Sequence, residues 1–216
     1  MGSAPQFGQD ERVPPLAIIG ISFRFPEEAT SVDGFWKMLS EKRCVSKETP
    51  ADRFNIDAHY HPDTNRTDTL SYRGGHFMCE SADTFDAPFF SIPASEAQAM
   101  DPLHRLTMET AYRALENAGL PIERVSGSKT AVFAGCLAPD YPTMQHKDAA
   151  APSKYQASGV SINMLSNRVS WFYNLRGPCA TVDTACSSSL VAIDMVCQSI
   201  WSGDADMVSQ IDTKPS

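Results

Sequence analysis

One stretch constrains this chain more than any other: Val182-Asp183-Thr184-Ala185-Cys186-Ser187-Ser188-Ser189-Leu190. Before it come the turn residues Gly177-Pro178 and a short run of small and β-branched residues, Cys179-Ala180-Thr181. After it, Leu190, Ile193, Cys197, Ile200 and Trp201 recur at helical spacing. The pattern predicts a short buried strand that turns at Cys186 into an amphipathic helix, with Ser187, Ser188 and Ser189 crowding its start as capping residues. A helix N-terminus offers unpaired N–H groups and a positive dipole end, and both favour thiolate over thiol. The same N–H groups suit the oxyanion of a tetrahedral intermediate. This is the geometry of a nucleophile elbow with sulfur in place of oxygen. On the local pattern alone, a packed cysteine acting as a small hydrophobe fits equally well.

The rest of the chain alternates strand and helix signals, the pattern of α/β folds with largely parallel sheets. Leu16-Ala17-Ile18-Ile19-Gly20-Ile21 and Thr130-Ala131-Val132-Phe133-Ala134-Gly135 read as strands buried on both faces. A helix is expected over Ser31–Glu41, with Ser31 as cap and Phe35, Trp36 and Leu39 on one face. Ser95 and Gln98 fit a capping box. A longer helix over Leu106–Ala118 stops at Gly119. Its charged residues, Glu109 and Glu116 among them, read as a solvated face. The polar, turn-rich segment from Asp52 to Gly75 reads as an ordered excursion, and residues 1–14 as a disordered extension.

With 216 residues, 42% hydrophobic and 20% charged, the chain has the composition of a soluble globular domain. A formal charge of −8 argues against nucleic acid or an anionic membrane as a partner. No apolar run approaches a membrane span, and the N-terminus has no signal-peptide pattern. The six cysteines show no C-x-x-C pair, so they read as reduced thiols of a cytoplasmic protein. His59 and His61 form an H-x-H without companion ligands, which favours a solvated loop over a metal site.

Asp183-Thr184-Ala185-Cys186-Ser187-Ser188-Ser189-Leu190 resembles the active-site signature of the β-ketoacyl synthase domains of type I polyketide synthases. Further segments share the resemblance: the strand from Leu16 with its Arg24-Phe25-Pro26 turn, and Asp52-Arg53-Phe54 through Arg73-Gly74-Gly75. The block from Phe85 to Gly119 follows the family too, with Leu103 where a glutamine is usual. So do Asp140-Tyr141 and Ser161–Ser170, whose Asn167-Arg168-Val169-Ser170 corresponds to a turn before the active-site strand. Cys179 departs from a common serine, and packing is its expected role. The wording is closest to fungal, reducing-type synthases. The resemblance implies a thiolase-like fold, of which residues 15–207 match the N-terminal half. It also implies that Cys186 accepts an acyl chain as a thioester and condenses it with a decarboxylated malonyl unit. The thioesters would arrive on the phosphopantetheine of an acyl carrier protein, with no cofactor held by the domain itself. A homodimer, or association with an intact synthase, is the implied assembly.

Two further histidines serve this family, in H-G-T-G and N-x-G-H contexts, and neither context occurs here. His59, His61, His76, His104 and His146 all precede Cys186. The expectation is a truncated domain in which full condensation lacks its acid–base groups. That leaves acyl transfer to Cys186, a non-catalytic remnant, or an interaction partner of an intact synthase. Val208–Ser216 reads as a divergent polar tail, and uncovered apolar surface is expected as a consequence.

Overall fold

The computed structural model describes residues 14–81, 83–137, 140–146 and 153–213. They form two units, one of residues 22–86 and one in which residues up to Ile21 join those from Ala87 onward. Residues 1–13 of the expected disordered extension lie outside the described residues.

In the unit of residues 22–86, helix α1 (Val32–Ser40) starts where the sequence predicts. The extended Ser31 accepts a hydrogen bond from the Gly34 N–H through its Oγ at 3.2 Å. Phe35 packs against Phe23 and Phe25, with ring centroids 5.5 and 5.2 Å away, and Met38 is buried. Trp36 and Leu39 were expected on the same inward face and instead stand 69% and 51% exposed. Strands β1 (Lys47–Glu48) and β2 (Gly74–Gly75) pair antiparallel. Arg73 ties this ribbon to the turn at Ile56–Ala58, bonding Glu48 through Nε at 2.8 Å and Asp57 at 2.8 Å. The excursion is ordered, as its turn chemistry suggested.

The other unit opens with α2 (Ala94–Ala99), α3 (Pro102–Asn117) and α4 (Ile122–Val125). Helix α2 follows Pro93 directly and has no side-chain cap, so Ser95 lies inside the first turn and forms no capping box. Helix α3 begins four residues before Leu106. Asp101 caps it, accepting from the Leu103 N–H at 2.8 Å, and Pro102 fills the first helical position, where a missing N–H costs nothing. Gly119, at φ +67°, stops the chain from continuing as helix.

Strand β3 (Thr130–Cys136) follows, then α5 (Tyr141–His146), α6 (Gln156–Val160), α7 (Met164–Phe172), β4 (Cys179–Val182), α8 (Ser188–Trp201) and β5 (Met207–Thr213). The three strands form a parallel sheet in the order β4-β3-β5. Every residue of β3 is buried. Val132, Ala134 and Cys136 face Ala111 of α3 and Leu165 and Val169 of α7. Ala131 and Phe133 face Ala192 of α8. Alternate side chains therefore enter opposite layers, and β3 is the spine of an α/β/α stack. Asn167-Arg168-Val169-Ser170 lies within α7 and is not a turn.

Three other expectations are corrected. Leu16–Ile21 forms no strand, and Ile18, Ile19 and Ile21 are 89%, 57% and 51% exposed. Among the described residues no strand pairs with this run. It leans on α3 instead, where Gly20 presses against Ala114 and Ala118, and the Ile21 N–H donates to Asn117 Oδ1 at 2.9 Å. The second correction concerns α8. Its inward face is Ser188, Ala192 and Ser199, while Leu190 and Ile193 point outward at 71% and 44% exposure. Small residues let the helix lie close on the sheet, with Met195 and Val196 packed beside them while Leu190 and Ile193 turn away. Third, Val208–Thr213 of the residues read as a polar tail belong to β5, which runs in unbroken parallel register with β3.

Candidate active site

Cys186 lies in the five-residue loop 183–187 between β4 and α8. The strand–turn–helix geometry expected from sequence is present, although β4 is a half-buried edge strand and not a fully buried one. Inside the loop, Asp183 Oδ1 accepts from the Ala185 N–H at 3.0 Å, a local turn that its short carboxylate favours. Ala185 then takes φ +54°, the left-handed region that L-residues with a Cβ rarely occupy. That inversion turns the chain sharply before Cys186. The cysteine is free and exposed at the apex.

The serines act differently from the caps that were expected. Ser187 occupies the N-cap position of α8 but is already helical in conformation (φ −93°, ψ −1°) and makes no side-chain cap bond. Its hydroxyl points back into the loop, donating to Thr184 O at 2.8 Å and lying 2.9 Å from Thr184 Oγ1. Ser188 is 3% exposed. Its Oγ accepts from the Thr184 N–H at 2.8 Å and lies 2.8 Å from Ala185 O and 3.3 Å from Cys136 O. Beneath it, a Cβ on Gly135 would meet the backbone of Ser188 and Ser189 at 2.9–3.0 Å. The sheet and the start of α8 are therefore in direct backbone contact below the cysteine.

Sequence reasoning singled out Cys186 and missed this support. The only local signals for it were the serine run itself and a glycine near the end of β3. It also missed a buried polar node. Arg168 of α7 pairs with Glu96 of α2 at 2.7 Å and donates to Ser158 O at 3.2 Å. His104 lies 2% exposed on α3, and burial, with the charges of Arg168 and Arg105, pushes its pKa down to about 3. Burial raises the carboxyl pKa of Asp101 at the start of the same helix. Partners 72 residues apart, as Glu96 and Arg168 are, leave no local pattern to read.

His59, His61 and His76 belong to residues 22–86, where His61 Nδ1 accepts from the Asp63 N–H at 3.1 Å. His146 lies at the end of α5, and its side chain is outside the described residues. Cys179, half-buried, donates from Sγ to Asn167 Oδ1 at 3.2 Å and is not crosslinked. Among the described residues, no group of three His, Cys, Asp or Glu side chains is placed to hold a metal ion. No helix among them is long and apolar enough to cross a membrane.

A parallel sheet between helical layers, with a cysteine at its strand-to-helix elbow, fits the thiolase-like fold that the sequence resemblance implies. Residues 14–208 match the β-ketoacyl synthase N-terminal domain, and the chain belongs to that family. Among curated relatives it is 47% identical over 197 residues to a reducing polyketide synthase, pksF, of Alternaria solani, covering 91% of this chain and 9% of the relative. It is also 47% identical over 194 residues to a highly reducing polyketide synthase, ausV, of Aspergillus calidoustus, covering 90% of this chain and 8% of the relative. The chain thus spans less than a tenth of the length of these curated relatives. A solved oxazolomycin ketosynthase domain from Streptomyces albus JA3453 superposes with a TM-score of 0.77 at 31% identity, over 88% of this chain and 33% of that one. The ketosynthase from module 6 of the bacillaene synthase of Bacillus subtilis 168 gives the same TM-score and identity, over 89% and 31% of the two chains.

Proposed function

We propose that this chain carries the acyl-accepting nucleophile of a polyketide ketosynthase, and that Cys186 is that nucleophile. The observation that carries the reading is the free, exposed Cys186 at the apex of a loop turned by a left-handed Ala185, directly before α8. In the proposed reaction, the Cys186 thiolate attacks the carbonyl of an acyl thioester. The tetrahedral intermediate collapses with loss of the carrier thiolate, which takes up a proton, and the acyl group remains on Sγ. The natural donor is acyl-phosphopantetheine on an acyl carrier protein. The family's second half-reaction joins the acyl group to a malonyl-derived carbon with loss of carbon dioxide. Acyl transfer needs only the nucleophile, and it is the step this reading assigns to Cys186.

The decisive measurement is intact mass after incubation with a short acyl N-acetylcysteamine thioester. A single acyl adduct that disappears in Cys186→Ala is expected. Equal adducts on both proteins would overturn the assignment. A second reading, association with an intact synthase or with a second copy of this chain, draws on the exposed Leu190 and Ile193 of α8. Co-purification that is lost in Leu190→Glu would favour it.

A further inference from the structure

We infer that Ser188 is a positioning residue for Cys186, its buried hydroxyl closing the loop that carries the thiol. The inference rests on the acyl-transfer reading above and extends it to a residue that never touches the substrate. Three observations converge. The Ser188 hydroxyl is one donor and one acceptor in a place shut off from water, at 3% exposure. Its acceptor side takes the Thr184 N–H at 2.8 Å, and its proton goes to Ala185 O, also 2.8 Å away. It thus joins two peptide groups before Cys186 to the first helical residue after it. The chain between those anchors has Ala185 at φ +54°, a conformation that persists only where its surroundings hold it. The Ser188 N–H reinforces the same closure, donating to Ala185 O at 3.1 Å.

The anchor itself is fixed from below. Cys136 O lies 3.3 Å from Ser188 Oγ, and the absent Cβ of Gly135 lets the backbone of Ser188 and Ser189 rest on β3. The position of the thiol is therefore set by the sheet through Ser188. Ser187 contributes less, because its bonds to Thr184 are exposed to competing water.

The test compares Ser188→Ala with Ser187→Ala and the wild-type chain, in four measurements. Thermal melts establish that each variant folds. Alkylation of Cys186 by iodoacetamide reports access to the thiol, and acylation by a short N-acetylcysteamine thioester reports attack geometry. For Ser188→Ala we expect acylation to fall about tenfold to a hundredfold, the scale on which small misplacements act, while alkylation changes less than about twofold and the fold is retained. Ser188→Thr, which keeps the hydroxyl, is expected to recover part of the loss. Ser187→Ala is expected to lie near the wild type. The fourth measurement is the 19F spectrum of a trifluoroacetonyl group placed on Cys186. It is expected to give one narrow line in the wild type and a broadened or split line in Ser188→Ala. Equal acylation in Ser188→Ala and the wild type, or parallel losses of acylation and alkylation, would overturn the inference. If the wild-type chain alkylates but does not acylate, the acyl-transfer reading fails, and the 19F comparison decides the positioning role by itself: an unchanged line refutes it.

Discussion

Leu16–Ile21 and Thr130–Cys136 are two apolar runs of nearly the same length and character, and the structure treats them oppositely. The second is paired on both edges, by β4 and β5, and covered on both faces by α3 and α7 on one side and α8 on the other. The first has no strand beside it among the described residues, and Ile18 is 89% exposed. Apolar composition makes a segment eligible for a buried strand. Only neighbours that satisfy its N–H and C=O groups make it one. The same lesson in reverse comes from Met207–Thr213. From Val208 on, its polar composition suggested a tail, yet β3 offers the whole segment a complete parallel register, and it pairs over seven residues.

The largest expected effect tests the buried run. Val132 is fully buried in a hydrophobic cluster with Ala111, Leu165 and Val169. Val132→Asp should cost more than about 4 kcal/mol, the scale of an unpaired buried charge, and abolish cooperative unfolding. A melt within a few degrees of the wild type would mean that β3 is not the spine of the sheet.

Acid should act on the same layer and spare the other run, which carries no titratable side chain. His104 is neutral in the folded state, with its pKa lowered to about 3 by burial and by Arg168 and Arg105. Unfolding returns it to about 6.5, so below that pH the unfolded chain binds the extra proton. Stability is then lost as pH falls from about 6.5 toward 3, by up to roughly 1.4 kcal/mol per unit. Asp101 opposes this, because a raised carboxyl pKa makes the folded state take up protons first. The difference between the wild type and His104→Gln isolates the histidine. Melting midpoints of the two should converge as the pH drops from 7 to 4, and parallel curves would refute a buried neutral His104.

The legible parts of this molecule were the local ones. The strand β3, the Ser31 cap, the Gly119 stop and the cysteine elbow each leave a signature within a few residues, and the structure contains all four. What sequence could not supply was decided by partners far along the chain. Trp36 and Leu39 on α1, like Leu190 and Ile193 on α8, have helical spacing that correctly predicts helix, yet none turns inward. Spacing defines a face but does not say which face the neighbours cover. On α8, close approach to β3 selects Ala192 and Ser199 because they are small, an effect of packing distance that hydropathy does not register. The clamp on Cys186 was hidden for a similar reason. Serines at a helix start suggest capping, and only the positions of Gly135 and Cys136 in the sheet direct the Ser188 hydroxyl back into the loop.

A pair of glycines sharpens the contrast at smaller scale. Gly135 in β3 has the backbone of Ser188 and Ser189 at 2.9–3.0 Å from where a Cβ would stand, and Gly20 in the apolar run has Ala118 Cβ at 2.8 Å with the Ala114 carbonyl oxygen closer still. Gly20 is the more crowded of the two. Gly135→Ala should nevertheless cost about 1–3 kcal/mol, since neither β3 nor α8 can retreat without breaking the sheet or the loop. Gly20→Ala should cost less than about 1 kcal/mol, because a run without ladder bonds lifts off α3 at little expense. Denaturant midpoints measured at a common slope would compare them, and equal losses would show that the run is held as firmly as the strand.

The smallest effect is the most informative about Leu16–Ile21. Ile18 has so little area in contact with the chain that Ile18→Asp should change stability by no more than about 0.5 kcal/mol. The comparison with Val132→Asp is then the same substitution at two apolar strand-like sites, with opposite consequences. A null result has to hold across protein concentration to count. If Ile18→Asp is neutral when dilute but lowers the melting midpoint as concentration rises, another chain is covering the run in solution, and the added stability follows mass action. If it is costly at every concentration, the run is buried within the chain, and eligibility for a strand has been realised by a partner inside this sequence after all.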